Sequence, residues 1–267
     1  VNNSWKKEVN DFFESIINSK ICHPNLNDVF DNMIIFVDDD SPDGTANIIR
    51  EKGNTHQNVN LIHRLGRRGL SGAVIEGILS SKSEICAVID CDLQHDETKL
   101  PEMYSLFEKN SNLDLVVGSR FLNQGDIQAG AFSYTRRLGS NLATFYTKKL
   151  LGIKISDPLS GFFMVKRKSF EKYSKKLQTQ GFKVLADLVA SSGQNFITEE
   201  VSYTFKGRFA GESKMNIATG LELLGLIISQ IFNGSLSIRF ILFCFVGLSG
   251  VFVQLLVTGI LINFSKI

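Results

Sequence analysis

The sequence predicts an α/β fold: a mostly parallel sheet with flanking helices, followed by an interfacial and a transmembrane helix. Three observations predict it. Short, β-branched apolar runs alternate with helix-like segments through the first half. Each run is bounded by turn or polar residues. Near the end, residues 240–262 hold 23 positions without a charge, and a bilayer core needs about 20 apolar residues in a helix.

Residues 4–19 read as an amphipathic helix. A parallel fold wants a strand ahead of it, and the chain starts without one and without Met, so it reads as a piece truncated at both ends. Strands are expected at 33–38, 59–63, 85–90 and 114–118, with helices at about 43–52, 69–82 and 97–110 between and after them. Asp96 stands where a helix N-cap is wanted. Residues 133–151 mix basic and aromatic side chains on a helical period, which suits a membrane surface. Strands follow at 161–166 and within 195–205. Residues 217–232 carry one charge in sixteen and read as interfacial; 240–262, between Arg239 and Lys266, reads as a span.

With 43% apolar and 21% charged residues, the 267-residue chain can bury a core, which excludes disorder. Its 29 basic and 27 acidic residues nearly cancel, which excludes a general nucleic-acid binder. The four cysteines form no CxxC pair and read as reduced thiols.

In open parallel sheets, ligands bind beyond the carboxyl ends of the strands. Two of those ends are acidic here: Asp38-Asp39-Asp40 and Asp90-Cys91-Asp92. Carboxylates one residue apart can hold a hard divalent cation, which can bridge a diphosphate. The plain alternative is a solvated acidic loop before a helix, and Pro42-Asp43-Gly44 forms a turn on either reading.

The stretches VDDDSPDGT, DCDLQHDETKLPEM, GSRF, SDPLSGFFMVKR and FKGRFAGESKMN occur in that order. Together they resemble the family-2 glycosyltransferases of GT-A fold, within these the dolichyl-phosphate mannosyltransferases and their polyprenyl-phosphate relatives. The resemblance covers roughly residues 4–232. It implies a catalytic domain over 1–215, an interfacial helix over 216–235, and over 236–267 the first transmembrane helix of a GtrA-like domain. The catalytic domain would lie on the cytoplasmic face of the membrane.

Site residues are implied one by one. Asp38 and Asp39 match the pair that contacts the nucleotide's base and ribose. Asp90, Asp92 and Gln94 match the site for Mg2+ or Mn2+ and the diphosphate, with His95 behind it. Asp40 and Cys91 stand where relatives carry small residues. Arg67, Arg68 and the segment Gly69–Gly72 match a segment near the donor, where a helix start could meet phosphate; a flexible turn with solvated arginines is the alternative. Arg120, Arg136 and Ser140 match the holders of the acceptor phosphate, an anion that an arginine fork suits. Arg136 and Ser140 are four apart and share a helix face, with Arg137 the alternative if the register slips by one. Asp157 matches an acid near the donor sugar, and Ser160-Gly161 permits a close backbone approach. Arg208, Ser213 and Lys214 match a segment that closes over the diphosphate.

The implied reaction moves a hexose, first mannose from GDP-mannose and otherwise glucose from UDP-glucose, onto dolichyl or polyprenyl phosphate with inversion. A phosphate oxygen is already ionised near neutral pH, so no strong base is required. Asp92, Asp157, Arg208 and Lys214 would carry the catalysis. Two rival classes are a haloacid-dehalogenase-type phosphatase, in which Pro42 would replace a Thr or Val, and a non-catalytic membrane module that binds nucleotide sugar or lipid.

Overall fold

The computed structural model describes residues 4–18, 33–122, 143–149, 151–179, 183–207, 225, 228 and 238–264. The chain divides into two compact units, Val1–Ser213 and Lys214–Ile267.

In the first unit the elements run α1 (Ser4–Asn18), β1 (Ile34–Asp38), α2 (Thr45–Thr55), β2 (Val59–His63), α3 (Leu70–Ser80) and β3 (Ile85–Val88). A 3-10 turn at Glu97–Lys99 leads into α4 (Leu100–Lys109), then β4 (Leu115–Ser119), β5 (Phe163–Lys166), α5 (Arg167–Ser174), α6 (Val184–Ser192) and β6 (Thr198–Ser202). Asp96 does cap the turn, accepting from the Thr98 N–H at 3.3 Å, and Pro101 sits at the start of α4, where a missing N–H costs nothing.

β1 and β2 pair in parallel, from Ile34 opposite Val59 to Asp38 opposite His63. The other sheet has the order β3-β5-β4-β6. β4 and β6 are parallel, but β5 runs antiparallel to both its neighbours. The expected α/β sheet with flanking helices is present, and β5 reverses for a topological reason. The chain leaves β4 at its carboxyl end, and Phe163 re-enters opposite Val117 and Val88 at that same end. No crossover returns it to the other edge, so it must run backwards.

The period of two along these strands builds the core. Leu115, Val117, Phe163 and Val165 share one cluster with Leu185 and Leu188 of α6. Val116, Phe162 and Met164 share another with Met103 and Phe107 of α4. All five residues of β4 are buried, as expected of a strand covered on both faces. Truncating Phe163 to Ala would cost about 3–5 kcal/mol. A third cluster joins Phe12 and Phe13 of α1 to Phe36 of β1, Ile49 of α2 and Val59 of β2.

The short helical stretch at 143–149 is turned unusually. It buries Thr144 and Thr147 and exposes Phe145 and Tyr146, with the Lys149 ammonium over the Phe145 ring. Among the described residues, Cys86, Cys91 and Cys244 form no disulfide, and burial pushes the Cys86 thiol up.

In the second unit, α7 (Ile238–Phe264) has 27 residues, about 40 Å of helix. Its segment Phe243–Ile262 has a mean hydropathy of 2.2 and nothing buried. By length and composition it is able to cross a membrane.

Candidate active site

The first acidic turn follows β1. Its three carboxylates differ sharply. Asp38 is 5% exposed and accepts from the Ser41 N–H at 3.1 Å. Asp39 is held on both oxygens: Arg64 Nη1 donates to Oδ1 at 2.5 Å, and the Gly69 N–H donates to Oδ2 at 2.7 Å. Asp40 is the most exposed, at 49%. Its backbone is left-handed, with φ of 59°, which Asp tolerates better than most side chains. Arg50 Nη2 donates to His63 Nδ1 at 2.8 Å, so the His63 Nε2–H is free to donate to Asp40 Oδ1 at 3.1 Å. The expected turn at Pro42-Asp43-Gly44 is present, with Asp43 Oδ1 capping the Thr45 N–H at 2.9 Å and Gly44 at φ 89°.

The segment before α3 is engaged differently from the phosphate cradle expected of it. Arg67 forks onto Glu76 at 2.8 and 3.1 Å. The Gly69 N–H goes to Asp39 rather than to a free position at the helix start.

The second acidic turn follows β3. Ile89 and Leu93 pack on the cluster that includes Phe36 of β1, which sets this turn beside the first strand. Leu93 has φ of 57°, a strained backbone for a large side chain. The close approach expected at Ser160-Gly161 is real: a Cβ on Gly161 would lie 2.5 Å from Asp90 Oδ2. That oxygen also lies 3.4 Å from His95 Nε2.

His95 is buried among Phe162, Tyr203 and Phe205. Its Nδ1 meets the Tyr203 hydroxyl at 2.7 Å. Burial pushes the Tyr203 phenol up, although the nearby Arg120 charge opposes this. An ionised Asp90 can only accept, so the tautomer that carries its proton on Nε2 suits this site, with Nδ1 accepting from the Tyr203 hydroxyl.

Gln94 is buried at 2% exposure, and its contacts run to the chain after β6. Its side-chain amide donates to the Lys206 carbonyl at 3.1 Å, and its backbone carbonyl accepts from the Lys206 N–H at 2.9 Å. That clasp is structural. Of the three expected metal ligands, Gln94 is thus engaged in holding the chain after β6, which leaves the expectation with the carboxylates Asp90 and Asp92. Among the described residues no group of three His, Cys, Asp or Glu is placed to hold a metal. Two carboxylates still fit one, since Mg2+ is ordinarily held by one or two of them with substrate phosphates completing its shell.

The resemblance assigns Arg120 to an acceptor phosphate and Asp157 to a donor sugar. In the structure they hold each other. Arg120 Nε and Nη2 fork onto Asp157 at 2.6 and 2.8 Å. Asp157 is 0% exposed, so its carboxylate has no open face to offer a sugar. Burial alone would lower the Arg120 pKa, but hydrogen bonds and charge from Asp157 outweigh it and raise it. Arg136, Ser140, Arg208, Ser213 and Lys214 lie outside the described residues.

Sequence reading missed Arg64 and Tyr203. Each meets its partner across a long stretch of chain, Arg64 with Asp39 and Tyr203 with His95, and no local spacing announces such pairs.

The model of Glycosyl transferase family 2 matches residues 2–174. The chain belongs to that family. Within glycosyl transferase family 2, a dolichol-phosphate mannosyltransferase of Pyrococcus furiosus is 32% identical over 223 residues, 83% of this chain and 61% of that protein. That of Saccharomyces cerevisiae is 33% identical over 188 residues, 68% of each chain. That of Mycosarcoma maydis is 31% identical over 201 residues, 75% of this chain and 67% of that one. The chain thus spans about three fifths of the archaeal relative's length and about two thirds of the fungal ones. Among solved structures, glucosyl-3-phosphoglycerate synthase from Mycobacterium tuberculosis with Mn2+, UDP-glucose and phosphoglyceric acid superposes with a TM-score of 0.59 at 18% identity, over 82% of this chain and 74% of that one. The same enzyme has been solved with Mg2+ and UDP. At that identity the likeness is one of fold.

Proposed function

We propose that this family-2 glycosyltransferase moves mannose from GDP-mannose onto dolichyl or polyprenyl phosphate, with inversion at the anomeric carbon. The observation that carries the proposal is the 31–33% identity to three dolichol-phosphate mannosyltransferases from an archaeon and two fungi. The geometry supports it through two acidic turns set side by side at the carboxyl ends of β1 and β3.

The turn after β1 receives the nucleoside, with its acids accepting from donor N–H and O–H groups. Asp90 and Asp92 are the residues that would hold Mg2+ or Mn2+, and a bound divalent ion neutralises charge on the diphosphate leaving group. Gly161 and His95 fix Asp90 from two sides. The Arg120–Asp157 pair stiffens the wall beneath. The acceptor phosphate attacks as an anion, so the chain's task is to position it and exclude water. Arg136, Ser140, Arg208 and Lys214 are assigned to the phosphates by the family pattern alone. The helix α7 anchors the protein, as the first helix of a GtrA-like domain, with the catalytic unit on the cytoplasmic face.

The test offers radiolabelled GDP-mannose and UDP-glucose separately to membranes holding the protein, with polyprenyl phosphate and Mg2+ or Mn2+. Label from GDP-mannose should enter the lipid phase only when lipid phosphate is present. Label from UDP-glucose alone would move the donor assignment. Binding of nucleotide sugar without transfer would leave a non-catalytic module.

A further inference from the structure

We propose that Arg64 is a positioning residue for the donor nucleotide, acting through Asp39; this rests on reading the turn after β1 as the nucleoside site. Arg64 directly follows β2, and its own N–H donates to the Asp38 carbonyl at 2.8 Å, continuing the β1–β2 ladder by one step. Its side chain turns inward and is 5% exposed. A buried guanidinium needs acceptors all round. Nη1 spans two loops, reaching Asp39 Oδ1 at 2.5 Å and the Gly69 carbonyl at 3.2 Å. Nε lies 3.2 Å from Glu76 Oε2, an ion pair whose geometry makes no hydrogen bond. The Gly69 N–H returns to Asp39 Oδ2 at 2.7 Å and closes a ring through Arg64, Asp39 and Gly69.

That ring ties the turn after β1 to the turn before α3, the two turns at the carboxyl ends of the parallel pair. It also consumes one site on each Asp39 oxygen, so the direction of the remaining lone pairs is set by Arg64. Gly72 leaves room for the guanidinium and for the chain beyond it: a Cβ there would come within 2.7 Å of Nη2 and 2.9 Å of the Thr179 carbonyl. Lysine carries the charge in one compact ammonium, so it cannot keep the place of Nη1 between Asp39 and Gly69 while also lying beside Glu76 as Nε does.

The experiment compares full-length wild type, Arg64→Lys and Gly72→Ala, the second leaving the arginine present but crowding its guanidinium. It measures the donor KM, the lipid-phosphate KM, kcat, the melting temperature and the affinity for guanosine monophosphate alone. Arg64→Lys should raise the donor KM and weaken monophosphate binding about tenfold, the scale of a lost charge-assisted hydrogen bond. The lipid-phosphate KM should stay within about twofold, and kcat at saturating donor should hold, as loss of ground-state binding requires. Gly72→Ala should shift the same constant in the same direction. Adding Asp39→Asn to Arg64→Lys should cost little more, because the two act as one unit. An unchanged donor KM in folded Arg64→Lys overturns the inference, as does an equal rise in both KM values, which would mark a merely structural residue. A wild type that transfers no sugar sinks the donor reading itself; a wild type that does, beside an Arg64→Lys with unaltered donor KM, sinks only this inference.

Discussion

Asp38, Asp39 and Asp40 are neighbours in sequence and have three different situations: buried in a turn, locked to an arginine, and open to solvent on a left-handed backbone. Side-chain identity alone could not separate them, because the partners that do so come from β2 and the loop beyond it. The second turn divides in the same way. Asp92→Ala should abolish metal-stimulated transfer while leaving the melting temperature within a few degrees, since Asp92 is only partly buried; turnover equal to wild type would remove it from the site. Tyr203 yields a pH prediction. Its folded pKa is raised by burial, while the unfolded phenol loses its proton near its ordinary pKa of about 10. Above that pH the unfolded state binds fewer protons than the folded one, so stability falls as pH rises; below it the term is flat. Cys86 acts in the same sense from a lower starting pH. Tyr203→Phe should therefore flatten the loss of melting temperature above about pH 10, measured in detergent from pH 8 upward, and an unchanged slope would dissociate Tyr203 from it.

At the level of elements, glycines decide how closely the strands and turns meet. A Cβ on Gly118 would come within 2.4 Å of the Phe162 ring, inside a core with no slack. Gly118→Ala should cost about 1–3 kcal/mol by overpacking, with activity per folded molecule retained. Gly161→Ala places the same methyl against Asp90 Oδ2 instead, so it should lower metal-stimulated turnover more than it lowers stability. Assays of the two variants side by side test this, and the reverse ranking would contradict it. The four early strands were legible in the sequence to within about two residues because each is a short apolar run between turn residues. The direction of β5 was not, because the strand's residues do not say from which end the chain arrives. α6 also escaped notice. Seven of its nine residues are buried, so it has no polar face to betray a helical period. α5 is short, and four of its eight residues are charged, which reads as loop.

For the molecule as a whole, the decisive contrast lies between its two units. The first buries most of its described phenylalanines, while in the second the apolar stretch Phe243–Ile262 is left bare over its full length. A bare apolar helix of that size is stable in water only at great cost, at about 25 cal/mol for each Å2 of apolar surface exposed. The catalytic unit shows the same preference on a smaller scale, where Phe145 and Tyr146 face outward beside Lys149 while threonines face in. On the proposed function lipid would cover both surfaces, and an acceptor with a polyprenyl tail would be met in the same phase. The prediction concerns the middle of α7. Leu255 lies inside the apolar stretch and is exposed. An arginine at the centre of a span costs about 2.5–3.5 kcal/mol on the insertion scale, whereas on a helix that stays in water it would be harmless or helpful. Leu255→Arg should therefore move protein from the membrane pellet to the supernatant after alkaline carbonate extraction, while Leu255→Ile should not. Transfer to a long-chain lipid phosphate should fall with the lost membrane fraction. Transfer to a short, water-soluble lipid phosphate should persist, because the acidic turns lie in the other unit. If Leu255→Arg remains in the pellet with long-chain transfer intact, α7 does not cross the bilayer, and the anchoring assigned to it belongs to another part of the chain.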